Sequence, residues 1–146
     1  MINLEQLNTN FIGEITERQV ATEILKMGYL VSKPLVQSSK YDFILDANHK
    51  LYKIQVKTSS PDKENTYISF TTSISHTNTK RTINLSYSEE DVDFFVTIYN
   101  NECYLVPYSI CGKRSQRLRL APTKNGQTKG ILFAKDFRLE KILQNL

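Results

Sequence analysis

The sequence predicts an α/β (α+β) fold with a mixed central β-sheet flanked by helices, in one domain over residues 1–146. Three observations carry this prediction: an amphipathic stretch opens the chain, alternating strands follow it, and shorter mixed elements close it. The length of 146 residues suits one domain, since single domains typically have about 100–150 residues. This order of elements is typical of helices packed on a sheet.

The first predicted element is a helix over Asn10–Met27. Asn8 or Thr9 can cap its start, and Gly28 provides its end. Apolar residues at helical spacing predict the face that packs on the sheet, namely Phe11, Ile15, Ala21 and Leu25, widened by Ile12, Val20 and Ile24.

Strands are predicted next, from alternation and from turn residues. They cover Tyr29–Lys33, Tyr41–Leu45, Leu51–Thr58 and Thr66–Thr72. In the third strand Ile54 and Val56 alternate with Gln55 and Lys57, so the two sets lie on opposite faces. The residues Asp46–Lys50 before it have the composition of a hairpin turn.

The second half of the chain has weaker signals. The polar segment Thr71–Ser88 predicts a loop or an irregular extension that is long enough to suggest a function. A second hairpin is predicted from Phe94–Tyr99 and Glu102–Val106 around Asn100 and Asn101. At the C-terminal end, we expect Leu118–Leu120 to pair with Ile131–Phe133, and Asp136 to cap a final helix.

Composition excludes several classes of protein. Hydrophobic residues make up 40% and charged residues 23% of the chain, which excludes a disordered tail, a collagen and a coiled coil. No apolar run approaches the roughly 18 residues of a membrane span, and no signal pattern opens the chain. Cys103 and Cys111 lack metal-site spacing. We therefore expect a cytoplasmic protein with no membrane partner.

Basic residues concentrate near the C-terminus. Residues 100–146 carry nine basic and three acidic side chains, a net charge of +6. Such a cluster suits a nucleic-acid backbone, whose neutralised phosphates release counterions. An ordinary solvated basic face is the alternative.

The candidate chemistry lies in the first helix and the first hairpin. Glu14 falls on the predicted apolar side of the helix, where a carboxylate is partly desolvated; an ion pair with Arg18 is the structural alternative. Asp42 opens an apolar strand, and Gln55 and Lys57 share one face of the next. An Asp, a hairpin, and then a polar residue, an apolar residue and a Lys form the layout of a metal-dependent phosphodiesterase core.

A longer pattern surrounds these residues: Gly13-Glu14, Gly28 to Val31 with Pro34, Ser39 to Asp42, Ile54 to Thr58, Asp91 to Phe95 and Tyr104 to Pro107. In this pattern the chain resembles the PD-(D/E)xK nuclease superfamily, and within it the homing endonucleases encoded by bacterial group I introns. The resemblance implies a restriction-endonuclease-like core and a site-specific double-strand DNA endonuclease that depends on Mg²⁺, with Mn²⁺ as a substitute. Those intron enzymes have Gln in place of the usual acidic residue, as at Gln55.

The resemblance also implies roles for individual residues. Asp42 would bind the metal directly, and Glu14 would help, directly or through water. Gln55 would stand where a second acidic ligand is common. The carbonyl of Val56 would complete the metal shell, and Lys57 would position the nucleophilic water.

Double-stranded DNA is the expected partner, and cutting both strands takes two sites, so we expect a homodimer or a dimer of dimers. The expected DNA contacts are His76, Asn78, Lys80 and Arg81 in the polar segment and Lys113, Arg114, Arg117 and Arg119 in the basic stretch. Alternatives are a Holliday junction resolvase or restriction-type endonuclease, and a non-catalytic DNA-binding module in which Gln55 has weakened the metal site.

Overall fold

A computed structural model of the chain describes residues 8–77 and 79–146. Within this part of the chain the helices are α1 (Thr9–Lys26) and α2 (Leu139–Leu143), with 3₁₀ turns at Tyr108–Ile110 and Ala134–Asp136. The strands are β1 (Leu30–Ser32), β2 (Phe43–Ala47), β3 (Lys50–Val56), β4 (Ser60–Pro61), β5 (Tyr67–Thr71), β6 (Ser73–Thr77), β7 (Thr82–Ser86), β8 (Phe94–Tyr99), β9 (Glu102–Pro107) and β10 (Ser115–Arg119). None of the described helices is long and apolar enough to cross a bilayer.

The central sheet is mixed, as predicted. Its order is β1-β2-β3-β8-β9, and β3 pairs with β8 in parallel while its other neighbours are antiparallel. Helices α1 and α2 pack on one face, where Val20 and Leu143 meet sheet residues such as Leu45 and Ile54. The predicted α+β architecture, a mixed sheet flanked by helices, is therefore confirmed.

A second core covers the opposite face of the sheet. Strands β10, β5 and β4 form a smaller antiparallel sheet. Its buried residues Ile68, Phe70 and Leu118 pack with Phe95 and Val106 of the central sheet. The central sheet thus separates the helices from the small sheet, and β8 and β9 have a core on each face.

Helix α1 begins and ends as predicted, but its buried face differs. Asn8 caps it, with its side-chain oxygen accepting from two backbone N–H groups at 3.1 Å each, and Gly28 follows with a φ of +82°. The buried residues are Thr16, Val20 and Ile24. The predicted face is wrong at its centre, since Phe11, Ile15 and Leu25 are among the exposed large apolar residues.

Both predicted hairpins are confirmed at their turns. The β2–β3 turn has positive φ at Asn48 and His49, and the β8–β9 turn has positive φ at Asn100 and Asn101. Two consecutive left-handed residues match the right-handed twist of the flanking strands. Asn tolerates this conformation because its short side chain bonds to the nearby backbone.

The polar segment Thr71–Ser88, predicted as a loop, forms an antiparallel ribbon of β6 and β7. All five residues of β7 are exposed. Apolar residues do alternate with polar ones in β7, where Ile83 and Leu85 lie between Thr82, Asn84 and Ser86, but all five residues are exposed and the alternation is short. Regular structure here comes from the pairing itself.

The C-terminal pairing differs as well. Strand β10 pairs with β5, and the predicted partners Leu118–Leu120 and Ile131–Phe133 share only an isolated parallel bridge between Arg119 and Phe133. Helix α2 follows Arg138, which provides no side-chain cap. Asp136 lies in the preceding 3₁₀ turn, where its carboxylate binds the Lys141 ammonium at 3.0 Å.

Candidate active site

Asp42 lies where β2 and β3 separate. Its backbone N–H donates to the Ile54 carbonyl at 2.9 Å, and its carboxylate accepts from the Val56 N–H at 2.8 Å. The side chain therefore takes the place of a strand carbonyl at the end of the ladder. Burial raises the pKa of Asp42 to about 6, the Val56 hydrogen bond lowers this pKa, and the charge of Glu17 raises it.

Lys57 follows β3 and lies beside Asp42. Its backbone N–H donates to the Val96 carbonyl at 2.8 Å, and its ammonium is 3.3 Å from the Ser73 carbonyl. Burial lowers the pKa of Lys57, while the Asp42 carboxylate acts in the opposite direction. The two side chains are thus electrostatically coupled in a partly dehydrated place.

Tyr87 closes the site from the end of the β6–β7 ribbon. Its ring is buried against Phe95, with centroids 5.4 Å apart, and the Lys57 ammonium lies over it at 5.1 Å from the centroid. Burial raises the pKa of Tyr87 to about 12, and the charges of Asp42 and Asp91 add to this effect. The phenol therefore stays neutral, and it lies near enough to Asp42 for the carboxylate charge to act on it.

Helix α1 brings Glu17, rather than Glu14, toward Asp42. The Glu17 carboxylate binds the Lys33 ammonium at 3.0 Å and is mostly buried, and its charge raises the pKa of Asp42. The pKa of Lys33 is itself raised, first by Glu17 and more weakly by Glu14 and Asp42. These charges form one cluster that joins the first half of α1 to the residues just after β1 and just before β2.

The predicted desolvation of Glu14 is wrong. Its side chain is 56% exposed and lies 3.6 Å from the Arg18 guanidinium, which is the structural alternative that the sequence allows. The reason is the rotation of the helix: Thr16, Val20 and Ile24 face the sheet. This i, i+4 series is the sequence signal that could have placed Glu17 next to the sheet.

Gln55 and Val56 lie beside the carboxylate. Phe43 pairs with Ile54, and extending that register by one residue places Asp42 opposite Gln55. Gln55 is half-buried. The backbone of Val56 borders Asp42 through its N–H. Asp42, Gln55, Val56 and Lys57 therefore meet at one end of β3, as the sequence predicts.

The family follows from comparison with known proteins. A family model described as PD-(D/E)XK endonuclease matches residues 7–140 of the chain. The chain belongs to the PD-(D/E)XK endonuclease family. This membership confirms the resemblance read from the sequence and makes the protein a nuclease by family.

A solved structure is similar over nearly the whole chain. It is described as the structure of a bacterial homing endonuclease, I-Ssp6803I, and matches with a TM-score of 0.76 and 24% sequence identity over 95% of each chain. At this identity the likeness establishes the restriction-endonuclease-like fold. No curated protein sequence matches the chain.

PD-(D/E)XK nucleases generally use divalent metal ions, and the residues at the end of β3 suit a hard cation. Within the described residues no group of three or more His, Cys, Asp or Glu could hold a metal. Mg²⁺ needs fewer protein ligands, since it is usually bound through one or two carboxylates and keeps several waters. Asp42 is one such carboxylate, and Glu17 is a second acid whose charge acts on it, although burial is the main cause of the raised pKa of Asp42.

The predicted DNA contacts lie in three places. His76 is in β6, Lys80 and Arg81 are exposed between β6 and β7, and Asn78 lies outside the described residues. Lys113 and Arg114 are exposed just before β10. In β10, the Arg117 guanidinium stacks 4.6 Å from the Tyr67 ring centroid, whereas Arg119 binds the carbonyls of Ala121 and Pro122.

Proposed function

We propose that this PD-(D/E)XK endonuclease is a site-specific, Mg²⁺-dependent enzyme of the homing type that cuts both strands of DNA. The observation that carries the proposal is the coupling of Asp42 to Lys57 at the end of β3. A carboxylate and an ammonium held together in a partly buried site are the groups that phosphodiester hydrolysis requires. The resemblance to intron-encoded endonucleases and the likeness to a homing endonuclease structure support the type.

Each site residue has a task in this proposal. Asp42 would hold Mg²⁺ together with the Val56 carbonyl, and Glu17 would support it from α1 in the role that the sequence suggests for Glu14. A bound Mg²⁺ would act as a Lewis acid toward the phosphate and lower the pKa of water. Lys57 would orient the attacking water.

Lys57 has a property that suits this task. Burial lowers its pKa, so its ammonium releases a proton more readily than an exposed lysine does. The same buried charge can also contact a phosphate oxygen, where low dielectric strengthens the attraction. Gln55, opposite Asp42, would contribute a neutral amide and leave the metal charge to the two acids.

The outer face of the small sheet would bind the DNA backbone. Ile68, Phe70 and Leu118 point into the core, so the alternating residues point outward. These outward residues are Ser60, Tyr67, Ser69, Thr71, Ser115, Arg117 and Arg119. Hydroxyl and guanidinium groups are the common partners of phosphate oxygens. Only two residues separate Lys57 from Ser60, so this face continues directly from the site.

The β6–β7 ribbon would read the bases. A two-stranded ribbon fits the major groove of B-DNA, and the predicted contacts Lys80 and Arg81 lie exposed near its tip. The ribbon begins at Ser73, whose carbonyl binds Lys57. Groove contact and the reacting phosphate would therefore be served by one continuous surface.

A homodimer, or a dimer of dimers, would supply the second site that a double-strand cut needs. Four exposed large apolar residues support such an assembly: Leu30, Leu35, Val36 and Leu51. Sedimentation analysis should give an even number of chains, and a monomer on DNA would contradict the proposal. The cytoplasm is the proposed location, in keeping with two unpaired cysteines.

The proposal is tested by cleavage of a mixed pool of duplex DNA that includes intron-lacking gene fragments, with and without Mg²⁺. Asp42→Asn and Lys57→Ala should abolish cleavage while leaving the fold and DNA binding intact. The matched controls are Asp46→Asn and Lys50→Ala, since both residues are exposed and lie on β2 and β3. The controls should cut at the wild-type rate.

The outcomes separate the alternatives. Cleavage by either site variant at the wild-type rate would remove the site assignment. Resolution of cruciform junctions without cutting of linear duplex would favour a Holliday junction resolvase. Cutting at many short sites would favour a restriction-type enzyme. Salt-sensitive binding without cutting, even with Mn²⁺, would favour a DNA-binding module whose metal site Gln55 has weakened.

A further inference from the structure

The β6–β7 ribbon touches Lys57 from both of its arms. Ser73, the first residue of β6, accepts from the Lys57 ammonium at 3.3 Å. Tyr87, the residue after β7, places its ring under the same ammonium at 5.1 Å. Ser73 pairs with Ser86 at the base of the ribbon, so both contacts come from one hydrogen-bonded structure.

This base is anchored to the rest of the fold. The Tyr108 hydroxyl donates to the Tyr87 carbonyl at 2.8 Å, and the Tyr87 ring packs on Phe95 in an edge-to-face arrangement. On the other arm, the Thr72 hydroxyl donates to the Gly112 carbonyl. These bonds fix Tyr87 and Ser73 independently of Lys57.

We propose that Tyr87 is a positioning residue for Lys57, and that its ring and the Ser73 carbonyl together hold the ammonium beside Asp42. The proposal rests on the proposed function, in which Lys57 takes part in cleavage. An ammonium over an aromatic face is attracted by the ring quadrupole, and the attraction is stronger where water is excluded. Tyr87 is 7% exposed, so the contact is made away from bulk water.

Positioning matters here because a long lysine side chain has many rotamers. Its side-chain entropy favours a disordered ammonium, and a misplacement of about 1 Å in a catalytic group can reduce a rate by about 100-fold. The ring and the carbonyl restrict these rotamers before DNA binds. Tyr87 would thus act on the reaction through Lys57, without contacting the phosphate.

The test compares three substitutions in the full chain. Tyr87→Leu removes the ring and Tyr87→Phe keeps it. Phe70→Leu removes a buried ring that also packs on Phe95, with centroids 6.2 Å apart, and is not the ring under the Lys57 ammonium. Phe70→Leu is therefore matched for loss of core packing. Single-turnover cleavage, DNA affinity and thermal unfolding are measured for each.

We expect Tyr87→Leu to lower the single-turnover rate roughly 10-fold at unchanged DNA affinity. Tyr87→Phe should recover most of that loss, and Phe70→Leu should cut at the wild-type rate. Equal losses in Tyr87→Leu and Phe70→Leu would overturn the proposal, because they would reduce Tyr87 to a packing residue. A wild-type rate in Tyr87→Leu would also overturn it.

A second measurement needs no cleavage. The ring current of Tyr87 should shift the ε-methylene proton resonances of Lys57 upfield, and Lys57→Arg identifies these resonances by their loss. The shift should persist in Tyr87→Phe and Phe70→Leu and disappear in Tyr87→Leu. Its absence in the wild-type protein would overturn the positioning contact.

The two readouts separate this proposal from the proposed function. Cleavage by Lys57→Ala would refute the role of Lys57 in the reaction, whatever the resonances show. Loss of cleavage in Lys57→Ala, with neither the rate nor the resonances changed in Tyr87→Leu, would refute the positioning role alone.

Discussion

Replacing Asp42 with Asn should stabilise the metal-free protein near pH 8 and leave its stability unchanged near pH 4. The pKa of Asp42 is raised from 3.8 to about 6, chiefly by burial. Between these values the folded chain keeps a proton that the unfolded chain has released, so the free energy of unfolding falls as pH rises. Above about pH 6 the full penalty remains, because the folded chain then holds a charged, partly buried carboxylate.

The size of the effect follows from the pKa difference. About two pKa units, at about 1.4 kcal/mol each, correspond to about 3 kcal/mol. Residual solvent screening at a site that is not fully buried reduces this to about 2–3 kcal/mol. Asn is isosteric, and its amide oxygen can still accept from the Val56 N–H that binds Asp42 at 2.8 Å. The substitution therefore removes the charge with little change in packing.

The assay is urea unfolding followed by far-ultraviolet circular dichroism, in EDTA, at pH values from about 4 to about 8. The quantity of interest is the stability difference between Asp42→Asn and wild type at each pH, since other titrating groups cancel. It should rise from near zero to about 2–3 kcal/mol. Asp46→Asn, exposed on the same strand, should show no such rise. A constant difference across the pH range would refute the buried, charge-poor state of Asp42.

Three further outcomes are expected. Mg²⁺ should raise the unfolding temperature of the wild type but not that of Asp42→Asn. Glu17→Gln should reduce this Mg²⁺-induced rise more than Glu14→Gln does. Equal reductions by the two substitutions would indicate that Glu14 also belongs to the metal site. Asn8→Ala should cost about 1 kcal/mol in urea unfolding through loss of the helix cap, and a change below the error of the fit would show that the cap is dispensable. Arg117→Ala should reduce by about one the slope of the logarithm of the DNA-binding constant against the logarithm of salt concentration, because one phosphate contact is lost. An unchanged slope would remove Arg117 from the DNA interface.

The parts of the fold that sequence could predict depend on local rules. The two ends of α1 were predictable, because the capping residue Asn8 and the left-handed residue Gly28 are recognised directly from residue type. The β2–β3 hairpin follows from alternation, and its face assignment is confirmed, since Ile54 and Val56 are buried. Asp42 and Lys57 meet because that hairpin brings the two strands side by side, so their proximity was predictable from the hairpin alone.

The parts that sequence could not predict depend on tertiary contacts. Thr16 is buried although it is polar, because its hydroxyl donates to the Ile12 carbonyl at 2.8 Å and lies 3.4 Å from the Thr58 hydroxyl. A helical wheel based on apolar residues therefore predicts a buried face centred near Phe11 and Leu25, although these side chains are 55% and 52% exposed. The observed rotation of the helix instead places Glu17, and not Glu14, where its charge acts on Asp42.

Tyr87 gives no sequence signal of its role. Seven other tyrosines are present in the chain, and most positions of this kind serve a core. Its contact with Lys57 arises because the β6–β7 ribbon begins beside Lys57, where Ser73 pairs with Ser86. The short alternation of Ile83 and Leu85 in β7 can indicate a strand, but not where that strand lies relative to β3. The positioning of a side chain by a distant polar segment is visible only in three dimensions.

The location of the site has a physical reason in the ladder of the central sheet. Strand β2 begins at Phe43, so the Val56 N–H at the end of β3 lacks a strand carbonyl on that side and takes the Asp42 carboxylate as its acceptor. The hydrogen bond stabilises the charged carboxylate, yet burial outweighs it and raises the pKa of Asp42 to about 6. Lys57 and Lys33 offset only part of this penalty, and burial weakens Lys57 as a cation. In the proposed function an added divalent cation would remove the remainder, so the same desolvation that costs the free chain stability would favour metal binding at the end of β3.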